Sequence, residues 1–205
     1  HMDLGLFQKV VDEIGEYLFV ILFWDWGEPF LNPHAYQMIR QARTRGVKVI
    51  ASTNGHLFAT PQHAMEVVHS GLDALIFSID GIGQETYERY RAGGRLEQAV
   101  DGIRRVVAEK RRARATNPLV NLRFIVMKHN EHELQHLGRF ASALGVDLVT
   151  VRKFHMIHSG NPEHAEILKL TPDDPKYQLP PLDRAGGKPV RATANPCRNL
   201  WNCPT

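Results

Sequence analysis

The sequence predicts an α/β fold whose strands run parallel and curve into an open, partial barrel. Five apolar segments, beginning near residues 18, 47, 74, 120 and 146, alternate with stretches of helical periodicity. Alternation with connections of this length implies right-handed crossovers between parallel strands. The first three apolar segments also end alike, in polar residues and a glycine: Trp24-Asp25-Trp26-Gly27-Glu28-Pro29, Ser52-Thr53-Asn54-Gly55 and Ser78-Ile79-Asp80-Gly81. The C-terminal ends of parallel strands are where such folds bind ligands, so three polar turns on one rim predict a site. Five strands are too few for an eight-unit barrel.

Leu6 to Tyr17 has helical spacing, with Leu6, Val10, Val11 and Ile14 on one face. Leu18 to Trp24 is an uninterrupted apolar run and reads as a strand buried on both faces. Asn32-Pro33 reads as a cap followed by proline at the first helical position, starting a helix that runs to about Arg45 and stops at Gly46. A strand follows at 47–52, and Thr60-Pro61 starts a helix that ends at Gly71. After a strand at 74–79 come a short helix from Glu85 to Arg91, the pair Gly93-Gly94, and a longer helix from about Leu96 to Arg112. Val120 to Met127 is a strand, Asn130 reads as the cap of a helix from Glu131 to Leu144, and Val146 to Val151 is the last clear strand. From about His155 prolines and glycines break any long element. The expected division is a partial barrel over 3–155 and an irregular segment over 156–205, a linker or the start of a further domain.

Composition narrows the function. A chain of 205 residues with 43% apolar and 23% charged residues is a globular protein with a sizeable core. No apolar run approaches the ~20 residues of a membrane-spanning helix. A net charge of +3 is too small to point to nucleic acid. The basic run Lys110-Arg111-Arg112-Ala113-Arg114 reads as a solvated last helical turn. The cysteines, Cys197 and Cys203, are two, which is no disulfide framework and points to a reducing cytoplasm.

Six motifs in register resemble the radical S-adenosylmethionine (SAM) enzymes, in particular the branch with a C-terminal SPASM extension. They are Gly27-Glu28-Pro29-Phe30-Leu31-Asn32-Pro33, Ser52-Thr53-Asn54-Gly55, Ser78-Ile79-Asp80-Gly81, Glu85 to Arg91 with Gly93-Gly94, Val126-Met127-Lys128-His129-Asn130, and Cys197-Arg198-Asn199-Leu200-Trp201. The resemblance implies a (β/α)6-type barrel and a SAM site. In it Gly27, Glu28 and Pro29 hold the amino group of SAM, and Ser52 and Asn54 face the same ligand from the next strand end. Ser78 and Asp80 contact the ribose, Arg91 takes the carboxylate, and Val126 lies by the adenine. These types suit the ligand, because an ammonium needs acceptors and a carboxylate suits the guanidinium fork.

The family's chemistry also requires three cysteines in a C-x3-C-x2-C loop, which hold a 4Fe-4S cluster. An electron from the cluster, delivered by a donor such as flavodoxin or ferredoxin, cleaves SAM to a 5′-deoxyadenosyl radical that abstracts hydrogen from substrate. This chain has no cysteine before Cys197. Its opening resembles the helix that follows the cluster loop, so the resemblance implies a piece cut just downstream of that loop, inactive by itself. Cys197 matches the first cysteine of a SPASM region and implies a ligand to an auxiliary iron–sulfur cluster in the full-length parent. The substrate, peptide or small molecule, is not written in these motifs.

Two other classes are open. His132 and His136 are spaced i, i+4, so a metal-dependent hydrolase or isomerase on a partial barrel is an alternative. A non-catalytic binding scaffold is another. With no strand before it, the run at 18–24 is expected to form a sheet edge with no Lys or Pro to blunt it. The expectation is that it pairs with a second copy, is covered by the 155–205 segment, or aggregates.

Overall fold

The computed structural model describes residues 1–24, 27–154 and 169–178. Five parallel strands form one sheet in the order of the chain: β1 (Val20–Leu22), β2 (Lys48–Thr53), β3 (Ala74–Ser78), β4 (Leu119–Val126) and β5 (Leu148–Lys153). Among the described residues six α-helices accompany them: α1 (Leu4–Ile14), α2 (Ala35–Thr44), α3 (Pro61–His69), α4 (Gln84–Tyr90), α5 (Leu96–Ala113) and α6 (Leu134–Leu144). Each crossover steps the same way, so right-handed connections place the crossover helices on one face.

The strands record that one-sidedness. Val49, Ala51, Leu75, Phe77, Val120, Leu122, Phe124 and Val126 are fully buried under the helices, against Met38, Ile39, Ile103 and Val106. On the alternate positions Ile50, Ser52, Ser78, Arg123, Ile125 and Thr150 are half-buried. This second face, without a helical cover among the described residues, is the inside of the partial barrel. At the opposite end from the polar turns, two aspartates tie the strands to their helices. Asp73 accepts from Val49 N (2.8 Å) and Lys48 Nζ (3.0 Å) of β2 and pairs with Arg43 of α2 (3.2 Å). Asp147 Oδ2 accepts from Val120 N (2.7 Å) and Lys110 Nζ (2.6 Å).

The structure corrects several expectations. The first strand is three residues long, and Phe19, Val20 and Leu22 are 90%, 43% and 56% exposed. Burial on both faces needs packing above and below the strand, and β1, paired with β2 alone among the described residues, stands at the end of the sheet where that cover is thin. The expected edge is therefore present. In α1 the buried residues are Phe7 and Val11, whereas Leu6, Val10 and Ile14 are exposed. Asn32-Pro33 does not start a helix. A 3-10 turn at Pro29–Leu31 comes first, Asn32 Oδ1 accepts from His34 N (3.0 Å) in a further turn, and α2 begins at Ala35. Asn130 stands at the cap position of a 3-10 turn rather than of the helix, and its side chain makes no capping bond because it is drawn inward to Asp80 and Ile125. A 3-10 turn at Glu131–Glu133 precedes α6. Lys110 is buried against Asp147 rather than solvated. The irregular segment expected over 156–205 lies largely outside the described residues.

Candidate functional site

Gly27 takes φ +91°, a left-handed conformation that suits glycine, and delivers Glu28 to the rim beside β2. The Glu28 carboxylate joins two strand ends. Its Oε2 accepts from Thr53 Oγ1 (2.9 Å) and Asn54 N (2.8 Å), and its Oε1 accepts one long bond from Phe30 N (3.4 Å). A carboxylate oxygen has two lone-pair sites, so Oε1 keeps capacity for a further donor. Burial raises the Glu28 carboxyl above its ordinary value, against the hydrogen bonds from Asn54 and Thr53. Pro29 opens the 3-10 turn that fixes Glu28 as its cap.

At the end of β2, Asn54 Oδ1 accepts from His56 N and His56 Nδ1, both at 3.0 Å. His56 Nε2 accepts from Arg95 N (3.2 Å), so the ring is the neutral tautomer with its proton on Nδ1. Burial likewise lowers its pKa. Gly55 follows with φ +89°; a Cβ there would press on Phe77 and on the backbone of Ala99 in α5. Ser52 Oγ and Ser78 Oγ lie 3.3 Å apart on the open face.

Asp80 is fully buried. Its Oδ2 accepts from Arg91 Nε (2.8 Å) and Nη2 (2.5 Å), and its Oδ1 from Ile125 N (2.9 Å). Burial pulls the Arg91 guanidinium down, and Asp80 more than offsets it, leaving its pKa above the ordinary value. Asn130 Nδ2 donates to Asp80 O (3.0 Å) and Ile125 O (2.9 Å), and Asn130 Oδ1 accepts from Met127 N (2.7 Å). Glu133 accepts from Ile82 N (2.9 Å) and Gly83 N (3.2 Å), closing the loop after β3.

The structure thus brings the sequence-derived residues onto one rim. Gly27, Glu28, Pro29, Ser52 and Asn54 gather at the ends of β1 and β2, and Ser78, Asp80, Arg91 and Val126 at the ends of β3 and β4. Asp80 reaches a ligand only if its pair with Arg91 parts, and Val126 is fully buried on the helix side, leaving its backbone for the rim. His132 and His136 are exposed, and among the described residues no group of three or more His, Cys, Asp and Glu side chains could hold a metal ion. Cys197 lies outside the described residues. Thr53, Asn130 and Glu133 escape sequence reasoning because their partners are 25 to 51 residues distant. Arg123 was signalled by being the one charge inside the apolar run 119–127.

Residues 2–141 match the family model of the radical SAM superfamily. A tungsten-containing aldehyde ferredoxin oxidoreductase cofactor-modifying protein of Pyrococcus furiosus is 30% identical over 176 residues, which are 84% of this chain and 45% of that protein. The chain spans about half the length of the curated relatives it matches. In fold it is similar to SuiB of Streptococcus suis bound to S-adenosylmethionine, with a TM-score of 0.59 and 11% identity over 74% of this chain and 34% of that one. It is similar also to anSMEcpe with bound AdoMet and a peptide, with a TM-score of 0.58 and 12% identity over 87% of this chain and 48% of that one.

Proposed function

The chain belongs to the radical SAM superfamily, and from that membership we propose that its C-terminal rim is a SAM site serving radical chemistry in the whole protein. The observation that carries the reading is Glu28. Its carboxylate is locked between Thr53 and Asn54, is half-buried, and keeps one oxygen underused at the rim of the open face. That donor-poor, acceptor-rich corner fits the ammonium of SAM.

In this reading Glu28, with the Gly27 and Pro29 backbone, holds the ammonium. Asn54, whose NH2 makes no bond among the described residues, and Ser52 sit beside it. Arg91 spends Nε and Nη2 on Asp80 and offers Nη1 to the SAM carboxylate. Ser78 faces the ribose, Asp80 fixes Arg91 and the Ile125 backbone, and the β4 end at Val126 walls the adenine. In the whole protein, SAM held beside a reduced 4Fe-4S cluster would supply the radical chemistry of hydrogen abstraction. The described residues contain no cysteine to hold that cluster, so the chain's own part is binding and orienting SAM, and by itself it does not turn over.

The finer assignments follow the motifs. Residues 3–155 form the partial barrel, and 156–205 lead into a SPASM-type extension in which Cys197 ligates an auxiliary cluster. The substrate is a peptide or small molecule, flavodoxin or ferredoxin supplies electrons, and the β1 edge is a surface for self-association. The protein works in the cytoplasm. Calorimetric titration of the chain with SAM tests the core of this. Saturable binding that weakens about tenfold or more in Glu28→Gln is expected; equal binding by both removes the assignment.

A further inference from the structure

Arg123 stands in the middle of β4, in register between Ser78 on β3 and Thr150 on β5, so the three side chains share the open face. It is half-buried, its Nε is buried without a hydrogen-bond partner, and among the described residues it forms no ion pair. A buried guanidinium Nε–H that meets no acceptor is costly to a fold. The nearby groups do not resolve it. Asp80 has both oxygens engaged by Arg91 and Ile125. Burial, then the like charge of Arg152 two residues beyond Thr150, lower the Arg123 pKa, against a smaller upward pull from Asp80. Asp80 attracts Arg123 only at a distance, and its other favourable neighbour is the Trp24 ring beyond β1, whose centroid is 5.9 Å from the guanidinium carbon. That contact spans the concave face, and the ring offers no acceptor oxygen. Thr150 Oγ1 donates instead to Asn121 Oδ1 (3.2 Å).

We propose that Arg123 is an anion-binding residue of the barrel interior, which takes a carboxylate or phosphate oxyanion of the substrate on the open face below the SAM rim. An oxyanion there gains charge-assisted hydrogen bonds from a donor held by packing rather than by a partner. Arg152 reinforces the same charge, and Trp24 offers a flat wall beside it. The assignment rests on reading the open face as the substrate side of the SAM site, and it adds the chemical class of the substrate.

The test uses the 205-residue chain with ¹⁵N-labelled arginine. The Arg side-chain Nε–H resonances are followed while inorganic phosphate is added in one arm and succinate in the other, and Arg123→Gln assigns the Arg123 signal. Support is a saturable shift of that signal in the wild-type chain, with the affinity for the better probe, measured by calorimetry in all three proteins, falling about tenfold or more in Arg123→Gln and partly recovered in Arg123→Lys. A larger response to phosphate assigns a phosphate group, and a larger response to succinate assigns a carboxylate. SAM binding by calorimetry is expected to be unchanged in Arg123→Gln. A second readout is thermal: Arg123→Met, which removes an unpaired charge, should leave the midpoint unchanged or raise it. An Arg123 signal that ignores both probes, or a clear fall in midpoint for Arg123→Met, overturns the proposal. A chain that binds SAM while Arg123 stays silent refutes this inference alone. An Arg123 response without SAM binding refutes the SAM assignment alone.

Discussion

Replacing Asp80 by alanine should be among the most damaging single changes on the rim. Asp80 has no exposed surface, and its carboxylate accepts three hydrogen bonds, two from Arg91 and one from Ile125 N. Removing one partner of a buried ion pair costs about 3–5 kcal/mol, because the other charge stays desolvated. The Arg91 side chain retains 28% exposure and recovers some hydration, so the lower end of that range, about 3 kcal/mol, applies. The orphaned Ile125 N adds about 1 kcal/mol. The sum, about 4 kcal/mol, is a large share of the roughly 5–15 kcal/mol that holds a domain together. At about 2–4 °C per kcal/mol the melting midpoint falls by about 8–16 °C. Asp80→Asn keeps an acceptor for Ile125 N and should lose about half as much. Urea unfolding at neutral pH, with an unchanged m-value, measures both. A loss under about 1 kcal/mol for Asp80→Ala would refute the claim that this pair braces the rim.

Other outcomes follow from the same contacts. Burial raises the Glu28 pKa, so SAM affinity should fall as pH drops through that raised value, at a pH above that of an exposed carboxylate, and Glu28→Gln should flatten the profile. The same raised value makes the carboxyl's contribution to stability greatest below its unfolded pKa; that contribution is lost as pH rises through the folded one, a dependence Glu28→Gln removes. Asp147→Ala strands the buried Lys110 ammonium and orphans Val120 N. It should cost about 2 kcal/mol in urea unfolding, less than the full penalty for a buried pair because Asp147 itself is 43% exposed. Gly102→Ala would drive a Cβ into the Gly55 carbonyl and Phe58 and should cost about 1–3 kcal/mol or more. Gly138→Ala, with nothing within 4 Å in helix α6, should stabilise by up to about 1 kcal/mol. Val20→Lys and Leu22→Lys at the β1 edge should shift size-exclusion elution toward monomer. A wild-type chain that elutes as a monomer would remove edge pairing from the account.

The parallel sheet was legible because its signals are local. Apolar runs at 47–52, 74–79 and 120–127 match β2, β3 and β4 within a residue or two, and Gly46, Gly71 and Gly145 end helices with positive φ. The first strand was over-read because an apolar run carries no record of whether a neighbouring strand covers it. In α1, Leu6, Val10 and Ile14 look as buried on a helical wheel as Phe7 and Val11; only packing against α2 tells the stripes apart. The rim residues were readable as types on turns, whereas their connections were not. Asn130 reads as a cap from its position, yet it serves Asp80, 50 residues earlier. Arg123 was visible as a charge in an apolar strand, and its isolation needed the positions of Asp80, Arg152 and Trp24.

The central claim is that the rim of β1, β2 and β3 holds SAM with Glu28 on its ammonium. A crystal structure of the chain soaked with SAM measures this directly. The account predicts the ammonium nitrogen within hydrogen-bond distance of Glu28 Oε1 and the nucleoside running past Ser78 toward the end of β4. SAM bound elsewhere, or bound with Glu28 turned away from it, would contradict it.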